Sequence, residues 1–397
     1  MSYVVVGAGI VGLSVARALL LSRPGSAVTV LDKEPTVAAH QTGHNSGVVH
    51  AGLYYPPGSL KAVLCRRGVG LLEEYTADKG IPYQKLGKLL VALDRDEESR
   101  LLGIRERALA NGVPDIRMLG PDGLRAIEPH ATGRAALHSP HTAVVDFPRV
   151  ARSLAEDITA LGGQVLLGRT VRAINQSAGA VRVSTGAEHV VADQAVLCGG
   201  LHADRLARLA GGAPGPRIVP FRGEYYRLTP QRASLVRGLI YPVPDPRYPF
   251  LGVHLTRRHD GSVDVGPNAL LALAREGYRH RDVDLRDLRE SLAWPGLWQL
   301  GRRHWRTGAR ELAGSVVKRR FVAAARAYVP ELDPADLRRA PAGVRAQALD
   351  RDGALVDDFR IETVDRVVAV RNAPSPAATS ALAIAEHVVG RMLTGRI

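Results

Sequence analysis

Val4-Val5-Val6-Gly7-Ala8-Gly9-Ile10-Val11-Gly12, running on into the apolar stretch Leu13 to Leu21, decides the fold of this chain. Three β-branched residues read as a short buried strand, the glycines form a G-x-G-x-x-G turn, and the apolar run continues as a helix. A second β-rich run, Val28-Thr29-Val30-Leu31, ends in Asp32, twenty positions after Gly12. Strand, turn, helix, strand and acid in that order make a dinucleotide-binding βαβ unit. Gly7 permits the tight turn, Gly9 lets backbone approach a pyrophosphate, and Gly12 lets the helix lie close to the strand. The helix N-terminus, with Ile10 and Val11 in its first turn, offers N–H groups and a positive dipole end to phosphates. Asp32, followed by Lys33, suits ribose hydroxyls and disfavours a 2′-phosphate, so FAD or NAD is expected rather than NADP.

The 397 residues exceed what one hydrophobic core usually serves, so two domains are expected. A hydrophobic fraction of 46% with 23% charged residues is that of a soluble globular protein. No apolar run reaches the ~18 residues of a membrane span, and the chain opens directly in a strand. Signal peptide and transmembrane helix are therefore not expected, and the cytoplasm is the expected compartment. Cys65 and Cys198 lack C-x-x-C spacing and read as two buried thiols, with no metal site implied.

The net charge is +14, yet only six of the 53 basic residues are lysine, and the arginines are spread along the chain. A solvated basic surface explains this; steering of anionic substrates and attachment to anionic lipid are the functional readings. The densest patch, Arg302 to Arg320 with Trp294, Trp298 and Trp305 interleaved, fits either a peripheral contact at the inner face of the cell membrane or a helix with its tryptophans turned inward. No nucleic-acid motif accompanies the charge, so no nucleic-acid partner is expected.

Downstream, a polar, glycine-spaced stretch (His40 to Gly47) precedes Val48-Val49-His50, and a helix is expected over Ser59 to Lys79. Leu86 to Leu93 reads as a strand and Asp96 to Asn111 as a surface helix. Phe147 to Leu161 reads as a helix, Gln164 to Leu167, Val171 to Ile174 and Val181 to Val183 as strands. Val190 to Leu197, closing on Cys198-Gly199-Gly200, is expected to rejoin the dinucleotide sheet. Strand patterns from Pro220 to Val265 argue a mixed or antiparallel sheet. Helices are expected over Val283 to Tyr328, with a last strand at Val367 to Val370. Ser375-Pro376 is expected to open the final helix as N-cap and first-turn proline.

These segments resemble the FAD-dependent oxidoreductases of the D-amino-acid oxidase (DAO) superfamily, and within it the branch acting on L-2-hydroxyglutarate. The resemblance is carried by HQTGHNSGVVHAGLYY (His40 to Tyr55), PFRGEYYRL (Pro220 to Leu228), YPVPD (Tyr241 to Asp245), PFLGVHLT (Pro249 to Thr256), GSVDVGPN (Gly261 to Asn268), AGVRAQA (Ala342 to Ala348) and NAPSPAATSA (Asn372 to Ala381). Arg247 and Tyr248 interrupt the matching phrases within a loop. The resemblance implies FAD as cofactor. Thr42, His44, Asn45, Ser46 and Gly47 would run beside flavin and pyrophosphate, Val171 beside the adenine, and Gly199-Gly200 beside the phosphates. Gly343 and Arg345 form a Gly-x-Arg segment. Pro374, Ser375, Pro376, Ala377, Ala378 and Thr379 lead to a helix N-terminus aimed at the flavin's pyrimidine edge, where negative charge develops on reduction.

The implied substrate, L-2-hydroxyglutarate, is a small dicarboxylate, and binding it calls for forked arginine donors helped by tyrosine hydroxyls. Arg222 and Arg345 are the arginine candidates, with Tyr55, Tyr225 and Tyr241 as partners. Arg222 could equally hold Glu224 or a backbone carbonyl. The C2 hydrogen would leave as hydride to flavin N5 while a neutral imidazole takes the hydroxyl proton. His254 is the first choice of base and His50 the second; His44 or His50 could also carry a covalent flavin bond. Electrons would pass to oxygen or a membrane quinone. An oxidase of another 2-hydroxy acid or of a secondary amine is the rival within enzymes.

The expected architecture is α/β: a Rossmann-like FAD-binding domain from residues 1–85, 148–215 and 340–397, and a mixed-sheet substrate domain from 86–147 and 216–339, with the pocket between them.

Overall fold

Strand Ser2–Val6 is buried on both faces, as a central parallel strand must be. Tyr3 and Val5 pack into one hydrophobic cluster with helices, whereas Val4 and Val6 pack into another. The computed structural model describes residues 1–186, 188–246 and 252–394, with backbone alone at 307, 310, 311, 313, 314, 316 and 394. Arg247 and Tyr248 lie outside the described residues.

The sheet built on Ser2–Val6 has six strands in the order Arg360–Val364, Val367–Asn372, Gln194–Leu197, Ser2–Val6, Ala27–Leu31 and Gln164–Leu166. All its pairings are parallel except the edge pair Arg360–Val364 with Val367–Asn372. Helices Ile10–Ser22, Phe147–Ala160 and Ala381–Thr394 cover one face. The other face is covered by an antiparallel meander, Ala173–Gln176, Val181–Ser184 and His189–Ala192. Both ends of the chain thus enter one sheet.

The run from Val190 to Leu197 divides at Asp193, with its first part in the meander and its second, Gln194–Leu197, beside Ser2–Val6. Asp193 makes the break useful: its carboxylate accepts from Ser2 N at 2.7 Å and so pins the start of the first strand. Val171 precedes the strand that was expected to begin with it, since pairing starts at Ala173.

A larger mixed sheet lies beside the first. In order, its strands are Leu270–Leu271, Arg217–Leu228, Val263–Gly266, His254–Arg257, Leu239–Pro242, Lys88–Ala92, Ala135–Ser139 and Arg117–Leu119. Strand Leu337–Leu349 pairs antiparallel with Arg217–Leu228 over almost its whole length, with a bulge between Gly223 and Tyr225. Residues 340–349 therefore run in this sheet before the chain returns to the first. The α/β architecture, a Rossmann-like sheet with a second mixed sheet, is the one the sequence implied.

Helix Leu60–Asp78 is capped by Ser59, whose hydroxyl accepts from Ala62 N at 3.2 Å. The last helix begins at Ala381, six residues after the expected Ser375 cap. Pro374 and Pro376 explain the delay: each lacks an N–H and disfavours helical backbone in the residue before it. Pro374 to Ser380 form turns instead, closed by Ala377 N to Pro374 O (2.9 Å) and Ser380 N to Pro376 O (3.0 Å). In the basic patch, Trp294 is buried and donates to Leu349 O at 2.9 Å, whereas Trp298 and Trp305 are 59% and 64% exposed. No helix among the described residues is long and apolar enough to cross a membrane.

Candidate active site

The glycine turn is fixed by the chain's own packing. Gly7 has φ +115, and a Cβ there would lie 2.3 Å from Cys198 O; a Cβ on Gly12 would lie 1.9 Å from Gly7 O. Gly9 is different, since a Cβ would meet only Thr42 Oγ1, at 3.4 Å. Nothing in the protein itself demands glycine there; a close ligand does. The first turn of helix Ile10–Ser22 lines the cavity and carries no acidic residue and no side-chain cap from Gly9, so its positive end faces the cavity uncompensated. One expected free donor is committed: Ile10 N bonds Thr42 Oγ1 at 3.1 Å. Asp32 accepts from Ala8 N at 2.6 Å and Glu34 N at 2.9 Å, one bond per oxygen, which leaves lone pairs for ribose hydroxyls.

From this turn a cavity of about 980 Å³ extends between the two large sheets. It collects residues spread over the whole sequence: Gly7, Gly9, Ile10, Val11, Gly12, Asp32 and Lys33; Thr42, His44, Asn45 and Ser46; Val171; Gly199 and Gly200; Gly343 and Arg345; and Pro374 to Thr379. His50, Tyr55, Tyr225, Tyr241 and His254 line it as well. Two expected residues do not. Gly47, with φ +75, lies off the lining and gives the turn that Asn45 braces through Gly47 N at 2.8 Å. Arg222 is turned away, because strand alternation puts Gly223 and Tyr225 on the cavity face and Arg222 with Glu224 behind. Its guanidinium bonds Arg279 O (3.0 Å), His280 Nδ1 (2.9 Å) and Glu224 (3.3 Å), so away from the cavity Arg222 holds both a backbone carbonyl and Glu224.

The loop after the second strand is pressed against the larger sheet. A Cβ on Gly343 would lie 2.6 Å from His44 O, which explains the glycine of the Gly-x-Arg segment. His44 stacks on Tyr278 at 4.0 Å between ring centroids and contacts Ala342 O at 3.3 Å; burial lowers its pKa. Lys33 does not extend freely to a phosphate: its ammonium joins the carboxylates of Glu34 and Glu276, the latter at 2.7 Å. Glu34, His40 and Glu276 are close enough to surround an ion, but the Lys33 ammonium already lies among them, 2.7 Å from Glu276 and 3.0 Å from His40 Nε2.

At the far end lies a group of rings and charges. Tyr241 stacks on His254 with centroids 4.0 Å apart, and Tyr54 meets Tyr55 edge-on at 5.3 Å. His50 is held from the C-terminal turn, with its backbone N–H donating to Thr379 Oγ1 at 3.0 Å and its ring Nε2 3.3 Å from Ser375 Oγ. Burial, aided by nearby Lys88, pulls both His50 and His254 down to about 3, so both rings are neutral at pH 7. His254 Nδ1 lies 3.0 Å from Gly252 O. A carbonyl only accepts, so Nδ1 carries the hydrogen and Nε2 keeps its lone pair. Burial also pushes Tyr54 up to about 12 and raises Tyr55, Tyr225 and Tyr241, which keeps all four phenols as donors.

Two lysines and a tyrosine of this region escaped sequence reading. Lys88 is 2% exposed, with its ammonium 3.8 Å from the Tyr241 centroid, and burial pulls it down to about 7. Lys61 and Tyr54 line the cavity itself. A signal existed for both lysines: Lys88 stands in the apolar run Lys88-Leu89-Leu90-Val91, and Lys61 is on the inward stripe of its helix with Leu64, Cys65, Gly68 and Leu72.

The cavity, at about 980 Å³, has room for FAD and suits its chemistry. The crowded glycines shape its pyrophosphate end, Gly9 leaves room for close approach, and Asn372 presents a buried side-chain oxygen without a partner among the described residues.

Comparison with known proteins agrees. The family model of FAD dependent oxidoreductases (DAO) matches residues 2–391. Human mitochondrial L-2-hydroxyglutarate dehydrogenase is 46% identical over 398 residues, covering 96% of this chain and 86% of the relative. The L-2-hydroxyglutarate dehydrogenase of Escherichia coli K12 is 43% identical, covering 99% and 93%. Among solved structures, L-alpha-glycerophosphate oxidase from Mycoplasma pneumoniae with FAD bound shares the fold at TM-score 0.80 and 24% identity, covering 99% of this chain and 95% of that one. Glycine oxidase from Geobacillus kaustophilus shares it at 0.72 and 17%, covering 99% and 94%. The glycine turn, the fold and a match across nearly the whole sequence lead to one conclusion: this chain belongs to the FAD dependent oxidoreductase (DAO) family.

Proposed function

We propose that the protein oxidises L-2-hydroxyglutarate to 2-oxoglutarate. The observation that carries this reading is the meeting of Arg345, two neutral histidines and four protonated tyrosines at one end of the cavity that starts at the glycine turn. The names of relatives more than 40% identical over nearly the full length supply the choice of diacid.

Bound flavin supplies a two-electron acceptor for the hydrogen on the substrate's C2. Arg345 binds the carboxylate beside the reacting alcohol through its forked donors, and Tyr55, Tyr225 and Tyr241 donate to substrate oxygens. His254 takes the hydroxyl proton on Nε2, the nitrogen left free by the bond to Gly252. His50 is the alternative base, with Ser375 beside its Nε2. A base depressed to about 3 is weak before substrate binds. A bound dianion favours the protonated imidazole and offsets part of that depression. In this reading residue groups 1–85, 148–215 and 340–397 hold the cofactor, with His50, Tyr55 and Arg345 reaching from them to the substrate, and groups 86–147 and 216–339 supply the rest of its pocket.

Oxygen or a membrane quinone then accepts the electrons. Exposed Trp298 and Trp305 beside Arg302, Arg303 and Arg306 favour peripheral contact with an anionic membrane, where quinone dissolves. Purified holoenzyme, assayed for oxygen uptake and for quinone-analogue reduction with L-2-hydroxyglutarate, glycine, sarcosine and glycerol 3-phosphate, tests the reading. Turnover concentrated on L-2-hydroxyglutarate is expected; equal or better turnover of glycine, sarcosine or glycerol 3-phosphate overturns it.

A further inference from the structure

Lys61 enters the cavity wall from the first turn of helix Leu60–Asp78 and is 6% exposed. Its ammonium donates to the Asp357 backbone oxygen and to Asp357 Oδ1, both at 2.8 Å, and sits 5.0 Å from the centre of the Tyr55 ring. An ammonium has three N–H donors, and the third has no partner among the described residues. The Asp357 side chain lies at the cavity's edge and is 80% exposed, so water screens its carboxylate's attraction for Lys61. A ligand carboxylate inside the cavity would meet the same ammonium in a lower dielectric and bind it more strongly.

Arg345 approaches the same corner from strand Leu337–Leu349. Tyr54 feels the charges of both Arg345 and Asp357, His50 feels Lys61, and His254 feels Arg345. Two cations from different elements therefore flank one group of tyrosines and histidines, an arrangement that suits an anion at each end of a short chain. Resting on the reading that the substrate is a 2-hydroxy dicarboxylate, we propose that Lys61 binds the carboxylate remote from the reacting alcohol and selects diacids over 2-hydroxy monoacids, while Arg345 holds the near carboxylate.

The test uses holoenzyme, comparing kcat/KM for L-2-hydroxyglutarate and L-2-hydroxybutyrate, with calorimetric binding of glutarate as a readout free of turnover. In Lys61→Met the diacid-to-monoacid preference falls by ~100-fold, the scale of one desolvated charge-assisted bond, and glutarate binding weakens in parallel. Asp357→Asn separates this role from a structural one: it breaks the surface ion pair but keeps the ammonium, so the diacid preference stays at or above that of the wild type. A preference unmoved in Lys61→Met, or lost equally in Asp357→Asn, overturns the inference. Should Lys61→Met fail to fold, Lys61→Gln, whose amide can still donate to the Asp357 backbone oxygen, takes its place, and an unmoved diacid preference in it overturns the inference. The substrate reading fails separately, by wild-type holoenzyme that holds flavin yet leaves L-2-hydroxyglutarate unoxidised.

Discussion

Replacing Lys88 by Met should stabilise the protein, although it deletes a residue packed against the site. Burial pulls the lysine from 10.5 to about 7, and no carboxylate acts on it to offset that. The folded value is depressed below the unfolded one, so the unfolded chain binds the extra proton between about pH 7 and 10.5, and stability must rise with pH in that window. At about 1.4 kcal/mol per pKa unit, the burial penalty approaches ~5 kcal/mol below pH 7. The Tyr241 ring, 3.8 Å from the ammonium, returns roughly 2 kcal/mol of that by cation–π attraction. A methionine of similar length fills the same space without the charge. The net gain at pH 7 is therefore about 2–3 kcal/mol, or a rise in Tm on the order of 2–4 °C for a chain of 397 residues. Thermal unfolding of FAD-saturated wild type and Lys88→Met, followed by circular dichroism across this pH range, isolates the lysine because other groups cancel in the difference. The advantage should shrink as pH rises and nearly vanish by about pH 10. A destabilised variant, or a difference independent of pH, would refute the reasoning.

Gly12→Ala places a methyl group 1.9 Å from Gly7 O and should yield protein that retains helix content but loses its visible flavin band; full flavin occupancy would contradict this role of the turn. His254→Gln should lower kcat by ~10²- to 10⁴-fold with a smaller change in KM, and His50→Gln by less; the reverse order would make His50 the base. Because burial holds both rings neutral down to about pH 3, kcat/KM should stay flat well below the ordinary histidine value of 6.5 on the acid side. An acid limb at 6.5 that disappears in His254→Gln would show that the imidazole is not depressed.

The first βαβ unit was legible in full, because strand Ser2–Val6, the glycine turn and Asp32 are specified by residues adjacent in sequence. So was helix Leu60–Asp78, whose Ser59 cap is a local signal. The start of the last helix was not, because Ser375-Pro376 carries a local cap pattern that Pro374, just before it, overrides. Arg222 was misplaced for another reason. In Arg222-Gly223-Glu224-Tyr225 both alternating sets carry polar groups, so only the opposite sheet decides which set faces the cavity. Lys61 and Lys88 are two among 53 basic residues, and only their apolar positions within their elements set them apart. Burial of a charge is a tertiary fact, and periodicity only hints at it.

The central claim is that one cavity brings bound FAD and a five-carbon 2-hydroxy diacid together. Anaerobic titration of yellow holoenzyme with L-2-hydroxyglutarate tests it most directly. Loss of the flavin band with one 2-oxoglutarate formed per flavin is the predicted result. A fully loaded protein whose band is unchanged by excess L-2-hydroxyglutarate would contradict it.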